Sequence, residues 1–274
     1  ELGPNNVWFT AIDVNNNVDS MIVIVTVLDT TVPVIAAQPR TIYLDASGQA
    51  TITANDLDNG TADNGTLFTI AIDSSNFDCS EVGVNTVNFK AIDASGNRDS
   101  VNVLVTVIDS LKPLIVTQPI TVYLGTNGLA TITANDLDNG TSDNCQVASI
   151  SIDSTTFDVT ELGPNNVWFT ALDVNANRDS VIEVVTVLDT IAPMVSNCPS
   201  NISVTTALNS CDAVVTWTAP TASDNGQLDS LIGSHVIGST FPLGTTTITY
   251  IAYDQSMNTD TCSFMITVLD SVAP

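Results

Sequence analysis

Positive charge is scarce in this sequence. Five Lys and Arg stand against 30 Asp and Glu in 274 residues, a formal net charge of −25. The five cations, Arg40, Lys90, Arg98, Lys112 and Arg178, are scattered singly. Nucleic acids and anionic lipid surfaces are bound through clusters of Lys and Arg, so both are excluded as partners. Histidine is nearly absent: His235 stands alone, so a nucleophile–base pair would have a single histidine to draw on. Long apolar runs are missing as well. The longest, residues 21–28, is broken by Thr26 and falls far short of the roughly 20 residues that span a bilayer. Hydrophobic residues still make up 44% of the chain, too many for a disordered acidic tail.

What the chain does have is repetition. ATITANDLDNGT occupies residues 50–61 and again 130–141, and ELGPNNVWFTA occupies 1–11 and again 161–171. A divergent copy, EVGVNTVNFKA, lies between them at 81–91. A second ruler, Asp-(Ser/Thr)-x-x-Pro, begins at Asp29, Asp109 and Asp189, with a related DSVAP at Asp270, giving spacings of 80, 80 and 81 residues. The array therefore reads as a partial unit at 1–29, two close copies at 30–109 and 110–189, and a divergent fourth at 190–274 that includes the start of a further linker. Such self-similarity marks a tandem-repeat architecture.

Each unit reads as antiparallel β. Residues 21–28, 101–108, 181–188 and 262–269 are rich in β-branched residues, as strands are. The strand before each ends in a tight polar turn: Asp13 to Asn17, Asp93 to Asn97, Asp173 to Asn177. Further strands are read at 40–44, 50–54 and 67–72. No window holds a 3.6-residue period, and about seven short strands in some 80 residues give an all-β fold of tandem immunoglobulin-like sandwiches. Glu183 interrupts the apolar alternation of its strand. Residues 1–29 supply only the last two strands of a unit, which alone are marginal; they read as a cut through a longer array, or else as strands that complete a sandwich on another chain.

The fourth unit carries Cys198-Pro199, Asn201-Ile-Ser-Val, Cys211-Asp-Ala-Val-Val-Thr-Trp217, Ser223-Asp-Asn225, the stretch from Phe241-Pro-Leu-Gly to Tyr250, and Cys262-Ser-Phe. In these it resembles the hyalin repeat (HYR) domain along nearly all of 189–274, departing from it where Gly226 replaces the usual Cys after Asp-Asn. Units two and three are similar to repeats of giant adhesins of gliding bacteria, often exported by the type IX system. The resemblance implies an extracellular, cell-surface location and a non-catalytic stalk or filament. It also implies that Trp217 is a core residue.

Cysteine usage agrees only in part with an oxidised surface protein. Among Cys198, Cys211 and Cys262 at most one pair can form, and the spacing does not decide which. Cys198 with Cys262 is preferred because both should lie near the start of the domain. Related repeats often carry one Cys after Asp-Asn and another in Phe-Asp-Cys, which could bridge. Here unit two keeps only Cys79 and unit three only Cys145, with Val159 and Gly65 at the positions 80 residues away. Both are therefore expected to be unpaired, or paired between chains.

The distinctive chemistry is acidic. Asp56, Asp58 and Asp63 crowd one loop, and Asp136, Asp138 and Asp143 the next copy of it. In a sandwich this loop, the Asp93-type turn and the entering linker lie at one end. Asp29, Asp56, Asp58, Asp63 and Asp93 should then converge at one junction, and Asp109, Asp136, Asp138, Asp143 and Asp173 at the next. The third junction keeps Asp189, Asp224 and Asp254 but lacks the D-x-D. Clustered carboxylates repel, and calcium, with its 6–8 oxygen ligands, would relieve the conflict. The alternative is that these residues only close turns through their own backbone. Ion-bound junctions would turn a flexible string of units into a semi-rigid stalk.

Asp-(Ser/Thr)-apolar steps at Ser20, Thr30, Ser100, Ser110, Ser180 and Thr190 resemble a bacterial O-glycosylation acceptor, though Asp opening a turn explains them equally well. Partners read as further repeats in the same chain, lateral copies in a filament, and a surface glycan or protein receptor engaged outside this stretch. A glycan- or protein-binding module of a secreted protein is the second reading. A glycosidase would need two carboxylates about 5–10 Å apart, but acids recurring in every unit argue for structure, and no enzyme is expected. Trp8 and Trp168, replaced by Asn88 in the middle copy, read as partly buried, and His235 as a surface or half-buried strand residue.

Overall fold

A computed structural model describes residues 1–208 and 210–271; the last three residues of the linker that starts at Asp270 lie outside the described residues. The chain opens with a hairpin, β1 (Gly3–Ile12) and β2 (Val18–Val27), paired in one antiparallel register. It continues through β3 (Arg40–Tyr43), β4 (Gln49–Thr51), a helical turn α1 (Ala54–Leu57), β5 (Leu67–Ile72), β6 (Asn76–Asp78), β7 (Gly83–Asp93) and β8 (Arg98–Ile108). The same elements recur as β9 (Ile120–Tyr123), β10 (Ala130–Thr131), α2 (Ala134–Leu137), β11 (Val147–Ile152), β12 (Thr156–Phe157), β13 (Gly163–Asp173) and β14 (Arg178–Leu188). The last sandwich comprises β15 (Met194–Ser196), β16 (Ile202–Thr205), β17 (Asp212–Val214), β18 (Thr221–Ser223), β19 (Leu228–Gly233), β20 (Thr240–Pro242), β21 (Gly244–Asp254) and β22 (Thr259–Leu269).

Every sandwich has one four-stranded sheet, in the order β3-β8-β7-β5, β9-β14-β13-β11 and β16-β22-β21-β19. Its first strand runs parallel to its last, as Arg40–Tyr43 does against β8, and the central pair is antiparallel. The second layer is short, built from β4-β6, β10-β12, and both β15-β18 and β17-β20. The all-β immunoglobulin-like fold is therefore the one the sequence pattern dictates. The strand read at 50–54 is the exception: it stops at Thr51 and the chain turns into α1.

Strand alternation builds the cores. On β7 and β8 the side chains of Val87, Phe89, Ala91, Val103, Val105 and Val107 are buried, as a period of two demands of a half-covered sheet. Ile52, Leu57 and Phe77 meet them from the second layer. Val167, Phe169, Val185 and Val187 repeat the arrangement with Leu137 and Phe157. Burying each such side chain stabilises by about 1.5–3 kcal/mol. Glu183 stands opposite Val167 at the place of buried Val103. It is only half-buried there, because its carboxylate turns back to accept the Val184 N–H at 2.9 Å.

By contact density the described chain forms two compact units. The first comprises Glu1–Pro113, Asp143–Gln146 and Asp173–Asn177, and the second Leu114–Ser142, Val147–Leu172 and Arg178–Pro274.

Candidate metal centres at three acidic clusters

Three sets of carboxylates each bring one oxygen per residue within 4.8 Å of the others: Asp29, Asp63 and Asp93; Asp109, Asp143 and Asp173; Asp189, Asp224 and Asp254. The first two sets belong to the first unit and the third to the second. The construction is the same each time. One Asp ends the last strand of a sandwich or hairpin, one lies in the loop after the helical turn or its counterpart, and one closes the turn of the long hairpin.

Local hydrogen bonds fix each acid. The Asp173 Oδ1 accepts the Asn175 and Asn177 N–H groups at 2.8 Å each, and its Oδ2 accepts the Asn177 side-chain amide at 2.8 Å. The same amide group donates to the Asp109 carbonyl at 3.3 Å, tying the turn to the linker. Asp143 Oδ2 accepts the Cys145 N–H at 3.0 Å, and Asp109 Oδ1 accepts the Leu111 N–H and the Asn144 amide at 3.2 Å each. In the first cluster burial raises the Asp93 carboxyl, but bonds from the Asn97 side chain and the Asn97, Ser95 and Gly96 N–H groups outweigh it and hold the group below its ordinary value.

What these bonds leave over is the informative part. Asp63 Oδ1, Asp109 Oδ2, Asp143 Oδ1 and Asp224 Oδ1 are buried without any hydrogen-bond partner, as are the side-chain oxygens of Asn144, Asn175 and Asn225. A buried acceptor without a donor costs about 1–3 kcal/mol, more when charged. Two carboxylate oxygens within 4.8 Å of each other repel by at least about 3 kcal/mol at an effective dielectric near 20. A cation at the centre would relieve both costs. The donors are all oxygen, which suits a hard ion, and oxygens within 4.8 Å of one another can all lie at a calcium–oxygen bond length of about 2.3–2.6 Å from one central ion. The residues present thus fit calcium.

Not every acid expected at these junctions is there. Asp56, Asp58, Asp136 and Asp138 lie outside the three clusters. Asp56 Oδ2 accepts both the N–H and the hydroxyl of Thr53 at 2.7 Å, and Asp58 accepts the Thr61 N–H at 2.9 Å; Asp136 and Asp138 repeat this with Thr133 and Thr141. The reason is local: a helical turn starts at residue 54, the first Asp of the D-x-D completes the capping box at its N-terminus, and the second, at its C-terminal end, accepts the N–H of Thr61 in the turn that follows. Hydrogen bonds from the Thr53 side chain and backbone hold the Asp56 carboxyl below its ordinary range, and those from Thr61 do so for Asp58 against burial. The third cluster, without a D-x-D, has the same geometry as the others. Asn144, Asn225 and the turn residues Asn97, Asn177 and Asn258 went unnoticed as site residues; the signal was the Asp-Asn doublet and the Asp-x-x-x-Asn turn recurring in step with the Asp positions.

The cysteines require a second correction. Cys79 and Cys145 are neither free nor paired between chains but joined to each other across 66 residues. The bond connects two successive repeats, and both residues lie in the first unit. Cys198 and Cys262 are joined in the last sandwich, and Cys211 is free and exposed.

Of the Asp-(Ser/Thr) steps, Ser20, Thr30, Ser100, Ser110 and Thr190 are exposed, while Ser180 is half-buried and bonds Thr170. Asp19 and Asp99 accept the N–H groups of Ser20 and Ser100, and all four residues lie within strands β2 and β8 rather than in turns. Trp8 and Trp168 are exposed, not partly buried: Trp168 lies on the face of β13 opposite buried Val167 and Phe169, and Trp8 lies on a hairpin that no described residue covers on either face. Trp217 packs on Phe241 and Phe264 and donates to the Tyr250 hydroxyl. His235 is exposed beside Ser234.

Fold and site together define an array of immunoglobulin-like repeats with an acidic cluster at each succession. Residues 188–268 match the family model described as HYR domain. The chain is similar to hyalin of Strongylocentrotus purpuratus, 31% identical over 262 residues that cover 90% of this chain and 21% of that protein. It is similar also to hyalin of Lytechinus variegatus, 30% identical with 78% of this chain and 42% of that protein covered. The chain thus spans well under half the length of these relatives. Among solved structures, mouse cadherin-23 EC22-24 aligns with a TM-score of 0.32 and 16% identity, covering 87% of this chain and 99% of that one. No described helix is long and apolar enough to cross a membrane.

Proposed function

We propose that this chain is a non-catalytic structural segment of an extracellular surface protein, a run of repeats whose successive junctions are stiffened by calcium. The observation that carries the reading is the buried carboxylate oxygens without partners, recurring at intervals of 80 and 81 residues in one donor arrangement. Each cluster draws an acid from the linker and two from the sandwich that follows it, so an ion there would hold the linker to the sandwich. Two disulfides favour an oxidising compartment outside the cell. The matches to the HYR family and to hyalin support a repeat module that associates with other repeats. The likeness to bacterial surface arrays favours a stalk or filament that carries its receptor-binding region elsewhere, and the exposed Asp-(Ser/Thr) steps would be available to glycosylation.

The test is a thermal melt and small-angle scattering of the whole chain, with calcium and with chelator. Chelation should lower the melting temperature and broaden the distribution of dimensions. Identical melts and scattering curves would sink the calcium reading and leave the Asp residues as turn formers.

A further inference from the structure

The Cys79–Cys145 bond sits on the middle acidic cluster. Cys145 directly follows Asp143 and Asn144, and its N–H is one of the two donors that orient the Asp143 carboxylate. Asn144 donates to the Asp109 carboxylate at 3.2 Å and to the Asp45 carbonyl at 3.3 Å. Its own carbonyl lies so near the neighbouring loop that a Cβ on Gly48 would meet it at 2.7 Å. The loop bearing Asp143 is therefore pressed against residues 45–48 of the preceding repeat, and the disulfide fastens it there.

The same register exists without sulfur at the third cluster. Val159 and Gly226 stand at the places of Cys79 and Cys145. A Cβ on Gly226 would lie 3.3 Å from the Val159 Cβ, close to the span of about 3.5–4.5 Å between the Cβ atoms of a disulfide. Asn225 repeats the contacts of Asn144, donating to the Gly125 carbonyl at 3.1 Å and to Asp189 at 3.4 Å. At the first cluster the position is Gly65, and among the described residues Asn64 donates to Asp29 and Thr31. One ligand loop is thus built three times and fastened covalently once.

We propose that Cys79–Cys145 is a covalent lock on the middle calcium site: with the bond in place Asp143 and Asn144 are preorganised for the ion, and without it that loop is free to leave Asp109 and Asp173. The inference rests on the calcium reading above. Fixing a ligand loop before the ion arrives raises affinity by removing the ordering cost from the binding step.

The experiment uses the whole chain with Asp93→Asn and Asp254→Asn, so that only the middle site remains, titrated with calcium chloride by calorimetry. In this background the pair Cys79→Val and Cys145→Gly installs the residues that the third register already carries, which keeps the fold. Calcium should bind about tenfold more weakly to that variant, the scale of a lost supporting interaction around a metal. In the converse chain, Asp93→Asn and Asp173→Asn leave the third site, and Val159→Cys with Gly226→Cys should form a disulfide and tighten binding. Equal affinity with and without the Cys pair overturns the lock while leaving the calcium reading intact. No heat of calcium binding in the oxidised chain overturns both. Peptide mapping that finds Cys79 and Cys145 unlinked in the oxidised protein overturns the lock directly.

Discussion

Phe9, Phe89 and Phe169 hold the same place in three copies of one strand, yet their surroundings differ completely. Phe89 and Phe169 are fully buried while Phe9 is 63% exposed, because only the later copies have the second layer and flanking strands to cover them. Replacing Phe169 with Ala should cost about 3–5 kcal/mol of stability, and replacing Phe9 should change it by no more than about 0.5 kcal/mol. Chemical denaturation of both variants checks the contrast; comparable losses would mean that the hairpin face is covered after all. Gly128 poses a different steric problem. Its φ of +74° is a backbone setting that side chains resist, and an added Cβ would meet the Asn225 carbonyl at 2.3 Å. Gly128→Ala should therefore destabilise the second unit by about 1–3 kcal/mol, read by the same unfolding curves.

At the scale of elements, the acids fall into two kinds with separable readouts. Asp136 caps α2 and Asp143 faces the middle cluster, though they stand in one loop of the sequence. Asp136→Ala should lower the melting temperature by a few degrees and leave calcium binding unchanged. Asp143→Asn should abolish binding at the middle site while the calcium-free melt stays close to that of the parent. The capping acids also predict the response to acid. The carboxyls of Asp56, Asp58, Asp136 and Asp138 are held below their ordinary range by hydrogen bonds from the Thr residues beside them, although burial opposes this. A group with a depressed folded pKa adds stability above its unfolded value, near 3.9, and loses it as pH falls through the folded value. In chelator, the melting temperature should hold from pH 7 to about 5 and fall below about 4; a fall that begins near pH 6 would contradict this source of stability.

The same scale shows what was legible in the sequence. Strands, turns and the 80-residue period could be read because alternation and repetition are properties of neighbouring residues. The three-acid sets could also be read, since linker, loop and turn share one end of a sandwich. The diversion of the D-x-D into a helix cap was hidden, because a capping Asp and a metal-facing Asp look alike until the backbone shows which N–H groups lie nearby. The Cys79–Cys145 bond was hidden for a related reason. A pairing inside one repeat compares positions within a unit, whereas this bond uses positions in two successive ones.

For the whole molecule, one arrangement made three times provides a direct count. Each cluster has three carboxylates, buried oxygens without donors, and an Asn that ties the turn back to the linker. An ion that binds only the folded state should stabilise it by about 2.7 kcal/mol per site at a hundred times Kd. Calorimetric titration of the metal-free chain with calcium measures this most directly. The account predicts three calcium ions per chain, with the melting temperature rising as they bind. A chain that takes up no calcium at millimolar concentration, and melts at the same temperature with and without it, would contradict the account at its centre.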